Sequence, residues 1–298
     1  MLKVQVVVTT FNHAKYLAQT FDSILAQETR HKFQILVHDD ASTDGTRDII
    51  QDYASRHPEV FNCILQEENQ FQQGHRIAKL VWPHYTAQYV AYLDGDDFWT
   101  RTDKLQRQVD FMDAHPRCMI SQTRSVFFDN ETGEVLEHFP PEDKRRRRRY
   151  FEDLAPANFL LSSAVMHRRD ALPELPPDFS EIGFGDYAKF ALIARKGWIG
   201  YLDIEATRYR IHKKNMWYGK PYEERLKKTQ DVQGYVARYA PKPFDAVWEA
   251  ASRGTLPVRS KVRRACKRAR LLRIAGDEFR GFVPKTVFTI RQMLGLRH

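Results

Sequence analysis

Three carboxylates, those of Asp94, Asp96 and Asp97, lie within four residues of one another, directly after an apolar run at 89–93. Like charges this close repel, so a chain that needs only a surface turn rarely uses them there. At the end of a buried strand, they form a hard-oxygen site for Mg²⁺ or Mn²⁺, which keeps open positions for the phosphate oxygens of a substrate. A solvated acidic turn is the competing interpretation.

Four short apolar runs predict buried strands at 4–8, 33–37, 61–65 and 89–93, and segments with helical periodicity separate them. Strands that alternate with helices pair in parallel through right-handed crossovers. The sequence therefore predicts an α/β fold with a Rossmann-like, mostly parallel central sheet flanked by helices.

Polar segments follow three of these strands, at 9–12, 39–40 and 94–97. In such sheets, ligands bind beyond the carboxyl ends of the strands. Because these ends meet at one edge of a parallel sheet, we expect the three segments to lie together. Their convergence favours a metal site over a solvated turn.

The net charge of +9 comes from two short basic segments. Residues 258–298 contain twelve Lys or Arg and two acids, and residues 144–149 are six consecutive cations, so the body of the chain is mildly acidic. Apolar residues at helical spacing in 258–298 predict a basic amphipathic helix that lies on an anionic membrane surface. Packing of its apolar stripe on the main domain is the alternative.

The basic run from Lys144 to Arg149 predicts a loop, either close to lipid headgroups or diphosphates or simply solvated. No aromatic residues alternate with these cations, and no nucleic-acid-binding pattern accompanies them. Nucleic acid is therefore disfavoured as a partner.

The cysteines, Cys63, Cys118 and Cys266, are widely spaced and suit free thiols in a reducing compartment. The N-terminus lacks the layout of a signal peptide, and no stretch approaches the roughly 18 apolar residues of a membrane span. We therefore expect a cytoplasmic protein that is peripheral at the inner face of the cell membrane.

The order and spacing of several motifs resemble those of family 2 glycosyltransferases, which have the GT-A fold. The motifs are VVVTTFN at 6–12, VHDDASTDGT at 37–46, LDGDD at 93–97, GDY at 185–187 and YRIH at 209–212. The stretch DGDDFWTRTDKLQRQ at 94–108 is similar to a subgroup from bacterial surface-polysaccharide clusters. We expect a catalytic domain over 1–217, a helical segment over 218–257 and a basic tail over 258–298.

The resemblance implies a role for each matching position. A nucleotide-sugar donor, which we predict to be UDP-linked, would be bound by Thr9, Thr10, Phe11, Asn12, Asp39, Asp40, Arg76, Asp94 and Gly95. The Phe11 ring would lie against the base, and Asp40 would accept a hydrogen bond from it. A divalent cation, Mn²⁺ or Mg²⁺, would be held by Asp94, Asp96 and His212, with Asp97 supporting them. A partly buried loop histidine is the alternative for His212.

Asp186 resembles the family's general base, which takes the proton of the acceptor hydroxyl. A base opposite the leaving group implies inversion at the anomeric carbon. The family often has a Glu-Asp pair here, whereas Gly185 precedes Asp186 in this chain. The alternative role for Asp186 is an N-cap of the following helix. The QxxRW motif of processive synthases is absent, which predicts one sugar per encounter.

These assignments predict a metal-dependent, inverting transfer of a single sugar to a glycan or lipid-linked glycan acceptor in polysaccharide, lipopolysaccharide or capsule synthesis. A sugar-phosphate nucleotidyltransferase is one alternative, although residues 9–13 lack the glycine-rich loop of that class. A non-catalytic protein that binds membranes or polyanions is the other.

Overall fold

The computed structural model describes residues 2–182, 185–213, 215, 217, 219–242, 244–256 and 266. Apart from residue 266, the basic tail predicted at 258–298 and its predicted membrane contact lie outside the described residues. Within the described part of the chain, no helix is both long enough and apolar enough to cross a bilayer.

The described strands form one ten-stranded sheet. They are β1 (Val4–Thr10), β2 (Phe33–Asp39), β3 (Phe61–Leu65), β4 (Tyr89–Asp94), β5 (Phe98–Trp99), β6 (Cys118–Asp129), β7 (Val135–Phe139), β8 (Arg148–Arg149), β9 (Val165–Arg168) and β10 (Trp198–Ile211). Their order is β3-β2-β1-β4-β9-β6-β10-β5, with β7 beside β6 and β8 beside β10.

The described α-helices lie between and after these strands. They are α1 (Leu17–Leu25), α2 (Thr46–Arg56), α3 (Ile77–Val81), α4 (Lys104–Asp113), α5 (Phe151–Leu154), α6 (Gly185–Ala194), α7 (Tyr222–Tyr239) and α8 (Phe244–Ser252). Helices α1 and α2 connect consecutive parallel strands, as the alternating pattern of the sequence predicts.

The first four strands form the parallel half of the sheet. Strand β1 pairs in parallel with both β2 and β4, and β3 pairs in parallel with β2. The side chains of Val4, Val6 and Val8 are fully buried, because β-branched residues pack well on a pleated surface. These are the four strands predicted from the apolar runs, and the predicted α/β fold is confirmed.

Pairing in the other half of the sheet is mixed. Strand β9 is antiparallel to both β4 and β6, whereas β6 and β10 are parallel. The register between β10 and β6 shifts between Tyr201 and Thr207. Beyond these shifts, the last residues of β10 contact the turn that follows β4.

Contacts divide the chain into two compact units. Of the described residues, the sheet unit comprises those within 2–149, 159–180 and 196–219, and the helical unit comprises those within 150–158, 181–195 and 220–266. In the helical unit, the buried Trp248 ring lies 5.1 Å from the Phe151 ring and 5.7 Å from the Tyr187 ring. The domain ranges 1–217, 218–257 and 258–298 remain a prediction.

The loop predicted at 144–149 is wrong at its end, because Arg148 and Arg149 form β8 and pair with β10. Lys144 and Arg149 are buried. The Arg149 guanidinium donates to the Lys144 carbonyl (3.3 Å) and lies 5.2 Å from the Phe159 ring centroid. Carbonyl acceptors and aromatic faces therefore hold arginines that the charge pattern alone assigns to solvent.

Candidate active site

Three polar segments that are far apart in sequence meet at the carboxyl edge of the parallel strands. In the register of the sheet, Thr9 pairs with Asp94 of β4, and Thr10 pairs with Asp39 of β2. The Thr10 carbonyl also accepts a hydrogen bond from the Asp40 backbone (3.1 Å). The expected convergence of these segments is therefore present in the structure.

The loops after β1 and β2 bind each other through their own polar groups. The Asn12 backbone donates to Ser42 Oγ (2.9 Å), and Asn12 Oδ1 accepts from the Thr43 backbone (2.8 Å). The His13 backbone donates to Thr46 Oγ1 (2.9 Å). Asn12 has a left-handed φ of 55°, which Asn tolerates better than most residues. Asn12 thus shapes the loops beside the pocket.

Asp39 is fully buried and acts within its own loop. Its carboxylate accepts hydrogen bonds from the Ser42 backbone (3.1 Å) and the Ser42 hydroxyl, and it pairs with the Arg47 guanidinium at 3.2 Å. These bonds compensate for the burial of the charge.

Asp40 orders a second loop. Its two carboxylate oxygens accept hydrogen bonds from the backbone N–H groups of Gln70 (2.8 Å) and Phe71 (3.1 Å). Its carbonyl accepts from the Asn69 side chain (3.1 Å). A carboxylate oxygen has two acceptor positions, so these bonds leave acceptor capacity for a further donor.

Two segments whose backbones bind Asp40 each carry an exposed phenylalanine ring. Phe11 is 38% exposed and follows Thr10, whereas Phe71 is 40% exposed and donates its backbone N–H to Asp40. The Arg76 guanidinium lies 5.8 Å from the Phe71 ring centroid. Exposed aromatic faces beside a carboxylate and a guanidinium provide the stacking and polar groups that a nucleobase needs.

Asp94 lies at the end of β4 and contacts side chains of the sheet unit. Its Oδ1 accepts a hydrogen bond from Thr9 Oγ1 (2.9 Å), and its Oδ2 lies 3.4 Å from Ser163 Oγ. These contacts hold the carboxylate at the carboxyl edge of β1 and β4.

Position 95 requires glycine because the side chains of Thr10 and His13 approach it closely. A Cβ atom at this position would lie 2.8 Å from Thr10 Oγ1 and 2.9 Å from His13 Nδ1. Because such distances are shorter than van der Waals contact, any larger residue would displace the loop after β1 or the acidic turn formed by residues 94–97.

Asp97 points into the protein and supports the acidic turn. It is 1% exposed and accepts hydrogen bonds from the Arg210 backbone (3.0 Å) and from Ser163 Oγ. Burial, followed by the nearby charges of Asp96 and Asp94, raises the pKa of Asp97 well above its usual value. Its carboxyl group therefore joins the turn to the end of β10.

The Asp96 carboxylate lies between two histidines. His212 Nε2 is 2.9 Å and His13 Nε2 is 3.8 Å from Asp96 Oδ2. Burial opposes ionisation of Asp96, but the hydrogen bond from His212 and the charges of His13 and His212 outweigh it, and the pKa of Asp96 is lowered. A carboxylate oxygen and an imidazole nitrogen, 116 residues apart in sequence, thus form one polar pair.

This pair fits a divalent cation that shares its coordination with a substrate. Among the described residues, no group of three His, Cys, Asp or Glu side chains is arranged to hold a metal ion. Mg²⁺ needs only one or two carboxylates, because phosphate oxygens and waters complete its coordination. Carboxylate and water also suit Mn²⁺, and a neutral imidazole nitrogen is a common metal ligand. Asp96 and His212 meet this requirement, and Asp94, which contacts Thr9 and Ser163, lies at the same end of β4.

Asp186 belongs to the helical unit and stands in the first turn of α6. Its carboxylate pairs with Lys189 Nζ at 2.8 Å, and the Asp186 side chain is 57% exposed whereas that of Lys189 is buried. A carboxylate in the first turn also interacts favourably with the helix dipole. The exposed oxygen is available to an outside hydroxyl.

Comparison with known proteins identifies the family. The sequence profile described as glycosyl transferase family 2 matches residues 5–175, which include β1 to β4 and the acidic turn. The chain belongs to glycosyl transferase family 2. The predicted family is confirmed, and with it the predicted enzyme class.

Two relatives illustrate how far the similarity extends. An uncharacterized protein of Mycobacterium tuberculosis is 30% identical over 225 residues, covering 74% of this chain but only 62% of the relative's own length. The Escherichia coli UDP-Glc:alpha-D-GlcNAc-diphosphoundecaprenol beta-1,3-glucosyltransferase WfaP is 27% identical over 218 residues, covering 70% of this chain and 77% of WfaP.

Two solved structures share the fold. TarS of Staphylococcus aureus in complex with UDP-GlcNAc gives a TM-score of 0.61 at 18% identity, over 84% of this chain and 70% of the TarS chain. The mannosyltransferase PcManGT of Pyrobaculum calidifontis, in complex with GDP-Man and Mn²⁺, gives a TM-score of 0.54 at 18% identity, over 98% of this chain and 84% of the PcManGT chain. The predicted GT-A fold is confirmed.

Four side chains of the site were not singled out from the sequence: His13, Phe71, Ser163 and Arg210. Three of them carried a local signal, since His13 adjoins the TTFN motif, Arg210 lies within the YRIH motif and Phe71 is a lone aromatic in a polar segment. Ser163 lacks such a signal, because only the pairing of the following strand, β9, with β4 and β6 brings it to the acidic turn.

Proposed function

We propose that this enzyme transfers a single sugar from a UDP-sugar to a glycan or lipid-linked glycan in the synthesis of a bacterial surface polysaccharide, with Mn²⁺ or Mg²⁺ and with inversion. The observation that carries the proposal is the Asp96–His212 pair at the carboxyl edge of the parallel strands. The name of the relative WfaP, which combines UDP-Glc with a diphosphoundecaprenol acceptor, supports the choice of donor and acceptor.

In this proposal, the donor base lies against Phe11 and Phe71. Arg76 lies beside Phe71, and Asp40 has remaining acceptor capacity for a base N–H. A uracil N–H is a suitable donor for that carboxylate, which is why we favour UDP. The loops around Asn12 and Asp39 keep these groups in place.

Asp96 and His212 would hold the divalent cation, and Asp94 would reach the ribose or the cation. The cation would neutralise the charge that develops on the departing diphosphate. Asp97 keeps the turn in place from behind, through Arg210 and Ser163.

Asp186 would act as the general base. Its exposed carboxylate would accept the proton of the acceptor hydroxyl while that oxygen attacks the anomeric carbon from the side opposite the diphosphate. The buried Lys189 ammonium, 2.8 Å away, fixes the orientation of this carboxylate. Attack from the opposite side inverts the anomeric configuration.

We further propose that residues 258–298 bind an anionic membrane surface at the cytoplasmic face. A lipid-linked acceptor would be encountered more often by an enzyme held at the membrane.

A product assay tests the proposed function. The full chain is incubated with UDP-Glc, UDP-GlcNAc or GDP-Man, a GlcNAc-diphospho-lipid acceptor and Mn²⁺ or EDTA, and the glycolipid is analysed by mass spectrometry. We expect one added sugar residue from one UDP-sugar, lost with EDTA and in Asp96→Asn, but retained in the control Asp52→Asn, whose exposed carboxylate pairs with Arg56 in α2. In a parallel reaction with UTP and a sugar 1-phosphate, formation of a UDP-sugar and pyrophosphate would indicate a nucleotidyltransferase. No glycolipid product with any nucleotide-sugar would contradict the proposal.

A further inference from the structure

Arg210, near the end of β10, connects three separate segments around the acidic turn. Its guanidinium donates hydrogen bonds to the Asp96 carbonyl (2.8 Å), to Asn130 Oδ1 (2.8 Å) and to Gln19 Oε1 (2.6 Å). The residue is 8% exposed. These acceptors belong to the acidic turn, the β6–β7 turn and α1, and the planar guanidinium provides enough donors for all of them.

Aromatic rings enclose the same guanidinium. Its central carbon lies 4.6 Å from the Tyr16 ring centroid, 5.2 Å from that of Phe128 and 5.4 Å from that of Phe98. Ring faces attract a guanidinium and limit its movement. The three hydrogen bonds are therefore held in one geometry.

The end of β10 contacts both Asp96 and Asp97 of the acidic turn. The Arg210 backbone N–H donates to Asp97 Oδ1 (3.0 Å), while its side chain binds the carbonyl of Asp96. Two residues further on, His212 Nε2 lies 2.9 Å from Asp96 Oδ2. One short segment thus fixes the backbone of Asp96 and also contacts its carboxylate.

The positive charge of Arg210 also stabilises the acidic turn. The turn carries three carboxylates within four residues, and their mutual repulsion favours an open turn. A buried guanidinium next to Asp96 offsets this repulsion, and arginine keeps its charge at any working pH.

We infer that Arg210 is the positioning residue of the donor site: by holding the Asp96 carbonyl, it keeps the Asp96 carboxylate beside His212, ready for a divalent cation and a nucleoside diphosphate. This inference rests on the proposed function. Arg210 itself need not touch the donor, since its hydrogen bonds go to the protein.

The test compares Arg210→Ala and Arg210→Lys with a matched control, Arg208→Ala. Arg208 lies on the same strand, but its guanidinium pairs with Glu205 at 2.9 Å. Binding of Mn²⁺ to the full chain is titrated by electron paramagnetic resonance, with and without UDP, and the melting temperature is measured separately. Arg210→Lys keeps the charge with fewer donors, so it remains informative if Arg210→Ala does not fold.

We expect both Arg210 variants to bind Mn²⁺ and UDP together at least tenfold more weakly, and Arg208→Ala to bind them as the wild type does. Guanidinium ion at low millimolar concentration should restore part of the binding in Arg210→Ala, since it can occupy the vacated position. A lower melting temperature with binding within twofold of wild type, or no rescue, would overturn the inference alone. A wild-type protein that binds neither Mn²⁺ nor UDP would overturn the proposed function and this inference with it.

Discussion

A single methyl group added at Gly95 should weaken both the fold and the donor site. The Cβ of Gly95→Ala would lie 2.8 Å from Thr10 Oγ1, and 2.9 Å from both Thr10 Cβ and His13 Nδ1. Thr10 is 4% exposed and pairs with Asp39 in the sheet, so it cannot move aside easily. The strain must therefore shift His13 or the acidic turn.

The expected change in the free energy of unfolding is the difference between two opposing contributions. Overpacking of this kind costs about 1–3 kcal/mol. Replacing a glycine returns about 0.4–1 kcal/mol, because alanine has fewer unfolded conformations, and Gly95 has no left-handed φ that alanine would resist. We expect a net loss of about 1–2 kcal/mol, which lowers the melting temperature of a chain of this size by about 2–3 °C.

Gly234→Ala is the matched control, because the same substitution there should stabilise the protein. Its Cβ would meet Ser252 Cβ at an ordinary 3.6 Å, inside α7. Alanine in a helix interior gains about 0.5–1 kcal/mol over glycine.

Differential scanning fluorimetry with UDP and Mn²⁺ measures both effects. Gly95→Ala should melt lower and lose the UDP-induced shift, whereas Gly234→Ala should melt higher and keep it. If Gly95→Ala melts like the wild type and responds normally to UDP, the close packing of the acidic turn against Thr10 and His13 is refuted.

Two further substitutions test the interior and the base pocket. Lys104 is fully buried, and burial lowers its pKa from 10.5 to about 7. Between these pH values the unfolded state binds more protons than the folded state. The stability of the wild type should therefore rise as the pH increases from 7 toward 10.5. Lys104→Met should remove this rise, measured by urea unfolding at pH 7–9. It should also stabilise the protein at pH 7 by about 2 kcal/mol, a value that allows for the loss of the Gln108 hydrogen bond and of the contact with the Trp99 ring. An unchanged dependence of stability on pH would contradict the burial of a titrating amine. Phe71→Ala should weaken UDP binding about 5- to 150-fold in calorimetry without lowering the melting temperature, because stacking on a base is worth about 1–3 kcal/mol. Tyr222→Ala, which removes a ring that is 65% exposed in the helical unit, should leave UDP binding unchanged. Normal UDP affinity in Phe71→Ala would exclude that ring from the pocket.

Local sequence patterns were sufficient to predict the parallel half of the sheet. The runs at 4–8, 33–37, 61–65 and 89–93 are short, apolar and followed by polar residues, so strand type and strand ends could both be read from them. Each of them lies within β1 to β4. The convergence of Thr9, Asp39 and Asp94 then followed from parallel pairing alone.

The partners of those residues could not be predicted in the same way. The bonds of Asp97 with Ser163 and with the Arg210 backbone depend on the mixed half of the sheet, where β10 shifts register between Tyr201 and Thr207. A shift of one residue exchanges the faces of a strand, and periodicity does not reveal such shifts. The Asp96–His212 pair came from the family resemblance for the same reason.

We propose that Asp96 and His212 bind the donor diphosphate through a divalent cation. Isothermal titration calorimetry of UDP into the full chain, with Mn²⁺ or with EDTA, measures whether this binding requires the cation. We predict binding that requires Mn²⁺, that disappears in Asp96→Ala and that persists in Asp52→Ala. UDP binding of equal affinity in EDTA, or in Asp96→Ala, would contradict the claim.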